Sequence, residues 1–315
     1  MVKRVLLAAP RGFCAGVERA IETVERALEL YGPPVYVRKQ IVHNVHVVRD
    51  LEQRGAVFVE SEANVPEGAR LVLSAHGVAP AVRDAAAARR LDTIDATCPL
   101  VTKVHTETRG YAAEGYTVVL IGHEGHEEVV GTHGEAPDAV CIVGSVAEAE
   151  ALAVPDPARV AYVTQTTLSV DETAEIVAVL RRRFPAVHAP RREDICYATT
   201  NRQAAVKEML AEVDILLVIG SENSSNSNRL VDVARAAGVE SHLIDDETAI
   251  DERWLEGRET VGVTAGASAP ERLVTRVCDW FRARGVTDIR VSGSIVEDVF
   301  FRLPVELRGT ASTAA

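Results

Sequence analysis

The five cysteines of this chain do not share one kind of context. Cys14 in Gly12-Phe13-Cys14-Ala15-Gly16, Cys98 in Ala96-Thr97-Cys98-Pro99 and Cys196 in Asp194-Ile195-Cys196-Tyr197-Ala198 each stand just ahead of a helical pattern. Cys141 lies inside an apolar run and Cys278 on a helical stretch between Val277 and Trp280. Both read as small buried hydrophobes. Three thiols without a fourth protein ligand would leave a bound metal one open position, and soft sulfur selects zinc, copper(I) or iron–sulfur. A closed structural zinc site would want four ligands, usually in Cys-x-x-Cys pairs. The wide separations here are also not those of a ferredoxin cysteine run. The residues by themselves leave open an iron–sulfur cluster with one free iron and a catalytic zinc.

Polar groups recur at matching intervals after these three cysteines. His43 comes 29 residues after Cys14, His126 comes 28 after Cys98, and a polar run holding Ser224, Ser225 and Asn226 succeeds Cys196 at a similar interval. A second polar group comes later in each third: His76, then Thr166, then Ser268. Each third therefore offers one thiol and two polar groups at the C-terminal ends of strands, where open α/β sheets place their ligands. Histidines, hydroxyls, amides and helix N-terminal N–H groups can wrap a phosphate without bulk positive charge. Glu128, two residues after His126 at a helix start, is expected to be the proton donor in preference to Glu124 and Glu127. Desolvation beside a bound anion would raise its proton affinity, as an acid requires.

The elements that must position these groups are short apolar strands alternating with amphipathic helices. Examples are the strands Val5 to Ala9, Thr117 to Ile121 and Ile215 to Ile219, and the helices Val17 to Leu30, Pro99 to Ala113 and Thr200 to Glu212. Near-continuous apolar strands separated by helices argue for parallel sheets covered on both faces, an α/β fold. The threefold recurrence divides the chain into three similar α/β domains, 1–97, 98–193 and 194–284. The tail 285–315 is expected to pack back on the first, bringing the chain's two ends together. The polar, Pro-rich stretch Arg181 to Glu193 reads as a linker.

Composition bounds the function. At 315 residues, 47% hydrophobic and 25% charged, the chain has the apolar mass for real cores and is neither disordered nor a rod. A formal net charge of -12 argues against a surface that grips nucleic acid or an anionic membrane. The apolar run after Lys3 and Arg4 is cut off by Pro10 and is too short for a signal segment. Five cysteines, an odd number, fit reduced thiols, and the expected location is the cytoplasm. No Gly-x-Gly-x-x-Gly or P-loop supports a nucleotide site.

Taken together, the motifs resemble those of the 4-hydroxy-3-methylbut-2-enyl diphosphate reductase family, and the resemblance covers almost the whole chain. It runs from Arg11-Gly12-Phe13-Cys14-Ala15-Gly16 through Ser74-Ala75-His76-Gly77, Asp95-Ala96-Thr97-Cys98-Pro99 and Thr164-Gln165-Thr166-Thr167-Leu168-Ser169. It continues through Ile195-Cys196-Tyr197-Ala198-Thr199-Thr200-Asn201-Arg202-Gln203 and Gly220-Ser221 through Ser227-Asn228 to Phe301-Arg302-Leu303-Pro304. The resemblance implies three α/β domains around a pseudo-threefold axis and a central cavity. It implies that Cys14, Cys98 and Cys196 hold one oxygen-sensitive [4Fe–4S] cluster whose open iron binds the substrate hydroxyl. His43, His76, His126, Ser224, Asn226 and Ser268, with Ser225 beside them, match the diphosphate-binding residues. Glu128 matches the proton-delivering carboxylate and Thr166 the hydroxyl near the substrate alcohol, with Gln165 and Thr199 in supporting positions.

The implied reaction is the two-electron, two-proton removal of hydroxyl from an allylic diphosphate, giving isopentenyl and dimethylallyl diphosphates. With no flavin or nicotinamide motif in the chain, ferredoxin or flavodoxin would supply the electrons. The family usually has proline where this chain has Glu127, and Glu127 is expected to point outward. Two other classes fit the bare residues: a three-cysteine zinc hydrolase of a phosphorylated metabolite, and a non-catalytic cluster sensor or anion-binding module.

Overall fold

The computed structural model describes residues 2–308. The chain opens with β1 (Arg4–Ala8) and α1 (Ala15–Tyr31), followed by β2 (Val35–Arg38), α2 (Val45–Gln53), β3 (Ala56–Val59), β4 (Arg70–Leu73), α3 (Pro80–Ala88) and β5 (Asp92–Asp95). The middle holds α4 (Pro99–Ala113), β6 (Thr117–Ile121), α5 (Glu127–His133), β7 (Val140–Val143), α6 (Val146–Ala151), β8 (Val160–Thr164) and α7 (Val170–Arg183). The last third holds α8 (Tyr197–Met209), β9 (Ile215–Ile219), α9 (Ser225–Ala236), β10 (Glu240–Ile244), β11 (Thr260–Ala265), α10 (Glu271–Arg282) and β12 (Asp288–Ser292).

These strands form three sheets, in the orders β10-β9-β11-β1-β12, β3-β2-β4-β5 and β7-β6-β8. Every pairing is parallel. The strands β8, β9 and β11 are apolar and buried almost throughout, which only helices on both faces allow. Each sheet with its helices makes a lobe with its own core; Val35, Val37, Leu51 and Ile94 belong to one, and Leu180, Val119 and Tyr162 to another.

The three cysteine helices α1, α4 and α8 are the crossings between lobes. The chain leaves the five-stranded sheet through α1 for the four-stranded one, leaves that through α4, and returns from the three-stranded sheet through α8. Cys14, Cys98 and Cys196 are the N-cap residues of these helices. A thiol therefore marks each passage from sheet to sheet, which is how three groups so far apart in sequence come together.

The domain assignment needs correction at its ends. Strand β1, placed in 1–97, lies in the five-stranded sheet between β11 and β12. Its nearly uninterrupted burial demands an interior position, and the five-stranded sheet offers one. The tail is split: β12 forms the edge beside β1, whereas Leu303 and Leu307 pack into the core of the four-stranded lobe. Met1 and residues 309–315, also included in that assignment, lie outside the described residues. The stretch 181–193 is not a free linker, since α7 runs through Arg183 and His188 bridges to Ala161 of β8. No helix among the described residues is long and apolar enough to cross a membrane.

Candidate active site

The three lobes enclose one cavity, a space of about 690 Å³ counting its mouth. Its lining includes Cys14, Cys98 and Cys196, His43, His76 and His126, Glu128 and Thr166, and Thr199, Ser224, Ser225, Asn226 and Ser268. Gln165 is the exception among the residues singled out from sequence. It is buried just behind the wall, where its Oε1 accepts from the His123 backbone N–H (3.1 Å) and its Nε2 donates to the Thr167 and Ser225 hydroxyls (3.0 and 3.3 Å). It thereby ties the His126 loop to the start of α9. Sequence reasoning missed the apolar side of the cavity, made by Val42, Ala75, Leu100, Val101 and Ala267. These residues lie in loops and in the first turn of α4, where no periodicity marks them.

The thiols sit deep. Burial pushes the Cys98 thiol up to about 12, with the neighbouring Cys14 adding to the shift. Burial likewise raises Cys196 to about 11 and raises Cys14. Three thiolates lining one buried cavity need a strong positive charge to offset their desolvation, which is what a bound metal supplies. Gly16, in the first turn of α1, leaves the space between two of them open: a Cβ there would lie 2.8 Å from Cys98 Sγ and 3.8 Å from Cys14 Sγ. Thr199 Oγ1 lies 3.3 Å from Cys196 Sγ and accepts from Asn226 Nδ2 (3.1 Å). Tyr197, unnoticed in the sequence, receives the Ala15 N–H on its hydroxyl (3.1 Å) and so joins α8 to the first turn of α1. The donor set, all sulfur with open space between, fits a sulfur-ligated metal group.

In the same cavity the three histidines form a cluster. The His43 and His76 rings stack with centroids 3.9 Å apart, and His126 stands edge-on to both at 5.4 and 6.0 Å. Burial lowers His43 and His126 to about 4 and His76 well below the usual imidazole range, with the two neighbouring rings lowering His76 further. All three are therefore neutral at pH 7. His126 caps α5, its Nδ1 accepting the Glu128 N–H at 3.2 Å, which leaves the proton on Nε2. His43 Nε2 and His76 Nδ1 are buried without a hydrogen-bond partner among the described residues. Such orphaned groups fit an anion that would bond them.

The third lobe adds hydroxyls and helix N–H groups. Ser224 caps α9, accepts from Ser227 N and Oγ (3.3 and 2.9 Å) and lies 3.4 Å from Ser268 Oγ. Ser268 in turn donates to the His43 carbonyl (2.9 Å), joining the lobes. Asn226 is fixed by the Ala267 N–H on its Oδ1 at 2.8 Å.

Glu128 is 3% exposed. Thr166 gives it two bonds, the backbone N–H to Oε1 at 2.6 Å and the hydroxyl to Oε2 at 3.0 Å. Burial nevertheless outweighs these bonds, and with the Asp194 charge nearby it lifts the carboxyl to about 7. Glu127 turns to Lys39, whose Nζ stands 3.5 Å from its Oε1, and does not line the cavity. Glu127→Gln is accordingly expected to leave turnover near the parent's and to cost at most ~1 kcal/mol in thermal unfolding. A loss of activity matching that of Glu128→Gln would overturn this division of roles.

Fold and site together define a three-lobed α/β enzyme with a buried reaction chamber lined by thiols, imidazoles and one carboxyl. The LytB protein family matches residues 5–282, and the chain belongs to that family. It is 61% identical over 307 residues to the 4-hydroxy-3-methylbut-2-enyl diphosphate reductase of Acidothermus cellulolyticus, covering 97% of this chain and 90% of that one. The reductase of the same name from Streptomyces avermitilis is 56% identical, with 97% and 91% covered. Among solved structures, the E-1-hydroxy-2-methyl-but-2-enyl-4-diphosphate reductase from Plasmodium falciparum superposes with a TM-score of 0.92 at 39% identity, covering 98% of this chain and 97% of that one. The protein is therefore an oxidoreductase of the α/β class with parallel sheets, as its motifs led us to expect.

Proposed function

We propose that the protein reduces (E)-4-hydroxy-3-methylbut-2-enyl diphosphate to isopentenyl and dimethylallyl diphosphates. Two electrons and two protons replace the allylic C–O bond with a C–H bond and release the oxygen as water. The observation that carries this reading is Glu128: a buried carboxyl lifted to about 7, bonded to Thr166, in the same cavity as three thiols. The relatives' names support the substrate.

Cys14, Cys98 and Cys196 would hold a [4Fe–4S] cluster. When bound, that cluster supplies the electrons and an iron open to the hydroxyl. The chain's own residues do the rest. His43, His76 and His126, with Ser224, Ser225, Asn226 and Ser268, surround the diphosphate with N–H and O–H donors. Because these histidines are neutral at pH 7, an incoming anion raises their proton affinity, and binding takes up protons. Thr166 holds the substrate alcohol within reach of Glu128, which gives the proton that leaves with the oxygen. Gln165 and Thr199 keep the walls in register, and the apolar side receives the carbon chain. Ferredoxin or flavodoxin, small cytoplasmic carriers, would deliver the electrons.

Anaerobic protein tests the reading directly. It should be brown, absorb broadly near ~400 nm, contain iron and sulfide, and turn over substrate with dithionite-reduced viologen. Colourless, zinc-loaded protein that hydrolyses a phosphorylated metabolite would replace it with the hydrolase reading.

A further inference from the structure

Three cations stand in a pattern that the reaction does not use. Arg19 lies five residues after Cys14, on α1, and its Nη1 donates to the carbonyls of Ala96 and Thr97, both at 3.0 Å. Those are the two residues before Cys98. Lys103 lies five residues after Cys98, on α4, and its Nζ reaches the carbonyls of Arg192 and Glu193 and the Asp194 carboxylate at 2.6 Å. Those residues lead into Cys196. Arg202 lies six residues after Cys196, on α8, and its Nη2 donates to the carbonyls of Gly12 (2.6 Å) and Phe13 (3.2 Å). Those are the two residues before Cys14, and the circuit closes.

Each contact joins the helix and the strand-end loop of one lobe, since α1 packs on the four-stranded sheet, α4 on the three-stranded sheet and α8 on the five-stranded sheet. The order of the thiols links the three contacts into a circuit. Arg202 is fully buried, with Glu297 of the tail bonded to the same guanidinium at 3.0 Å. Arg19 donates its Nε to the Arg302 carbonyl, so the tail is also fastened to two members of the circuit. Lys103 is part-buried, with the Asp194 carboxylate beside it. Arg202 is also a charge neighbour of Cys14, and Arg19 of Cys98, so the cations act on the thiols as well as on their carboxylate partners. A thiolate-bound iron–sulfur group carries net negative charge and becomes more negative on reduction.

We propose that Arg19, Lys103 and Arg202 form a head-to-tail ring of positioning residues. In it the helix that starts at each thiol holds the loop presenting the next, and the ring's charge favours the reduced cluster. The inference rests on the iron–sulfur reading above. It assigns the three thiols' geometry to one closed device rather than to three independent loops.

The test uses full-length, anaerobically prepared protein with Arg202→Met, Lys103→Met and Arg202→Lys. Three quantities are read: iron and sulfide content, the rate of cluster loss to a chelator, and the reduction potential followed by electron paramagnetic resonance. Each Met variant should lose its cluster about 10–100-fold faster than the parent, the scale of removing an outer-shell partner. Its potential should also move negative, because one positive charge is gone. Arg202→Lys should keep the potential near the parent's yet lose the cluster faster, since an ammonium cannot reproduce the forked contact. Lys103 is part-exposed, so its variant folds even where the Arg202 core does not tolerate change; circular dichroism of the metal-free proteins confirms the fold. Folded Met variants with parental retention and potential would overturn the ring. Parent protein without iron and sulfide would instead overturn the cluster reading, and the ring with it.

Discussion

Glu128→Gln is expected to stop turnover, by roughly 10²–10⁴-fold, while leaving the metal content unchanged. Glutamine keeps the shape and can still accept the Thr166 N–H that now reaches Oε1 at 2.6 Å. What it lacks is a proton to give. With the carboxyl at about 7, the parent holds much of its acid form at neutral pH, and kcat/KM should fall about tenfold per pH unit above that value. The variant's residual rate should lose that limb.

Stability should move the other way. The folded-state value lies above the ordinary 4.5, so the native state binds the extra proton, and stability is lost as pH rises from 4.5 through about 7. Above pH 7 the parent buries an ionised carboxylate that the amide variant does not. At pH 8 Glu128→Gln should therefore melt later, by at most about 3 kcal/mol. Unfolding scans at pH 5 and pH 8 read this: the advantage of glutamine over glutamate should grow with pH. An active variant, or one less stable at pH 8, would remove Glu128 from the role.

The thiols were legible because each interrupts a local pattern, an apolar run on one side and a helix on the other. That local pattern is what makes them N-cap residues. The histidines were legible for the same reason, standing at strand ends where the polar character changes abruptly. The partner of β1 was not, since its sequence states only that it must be buried, and β11 lies more than 250 residues away. The edge strand β12 was missed because its alternation is brief and its burial only partial. Arg19, Lys103 and Arg202 look like ordinary solvated helix positions; their partners lie 77, 89 and 190 residues distant. Local chemistry shows in sequence, whereas closure of a ring is a property of the assembled lobes.

Gly16→Ala should give a protein that folds as well as the parent but does not hold its metal. Alanine in place of a helical glycine ordinarily stabilises, by up to ~1 kcal/mol, through lower entropy of the unfolded chain. Here φ is not positive, so the backbone raises no objection. The new methyl would sit 2.8 Å from Cys98 Sγ. In metal-free protein that sulfur ends a side chain with one free torsion, and it swings aside at little cost. A sulfur bonded to iron cannot swing. The conflict therefore arises only on loading, and iron content and turnover should fall by roughly 10–100-fold. The metal-free melting temperature should meanwhile stay level or rise.

Gly77→Ala makes the contrast. Its φ is +78° and its Cβ would meet the buried His105 ring at 2.8 Å, so it should lower stability with or without metal. If Gly16→Ala loads iron and sulfide to the parental level, the space between Cys14 and Cys98 is not where the cluster lies.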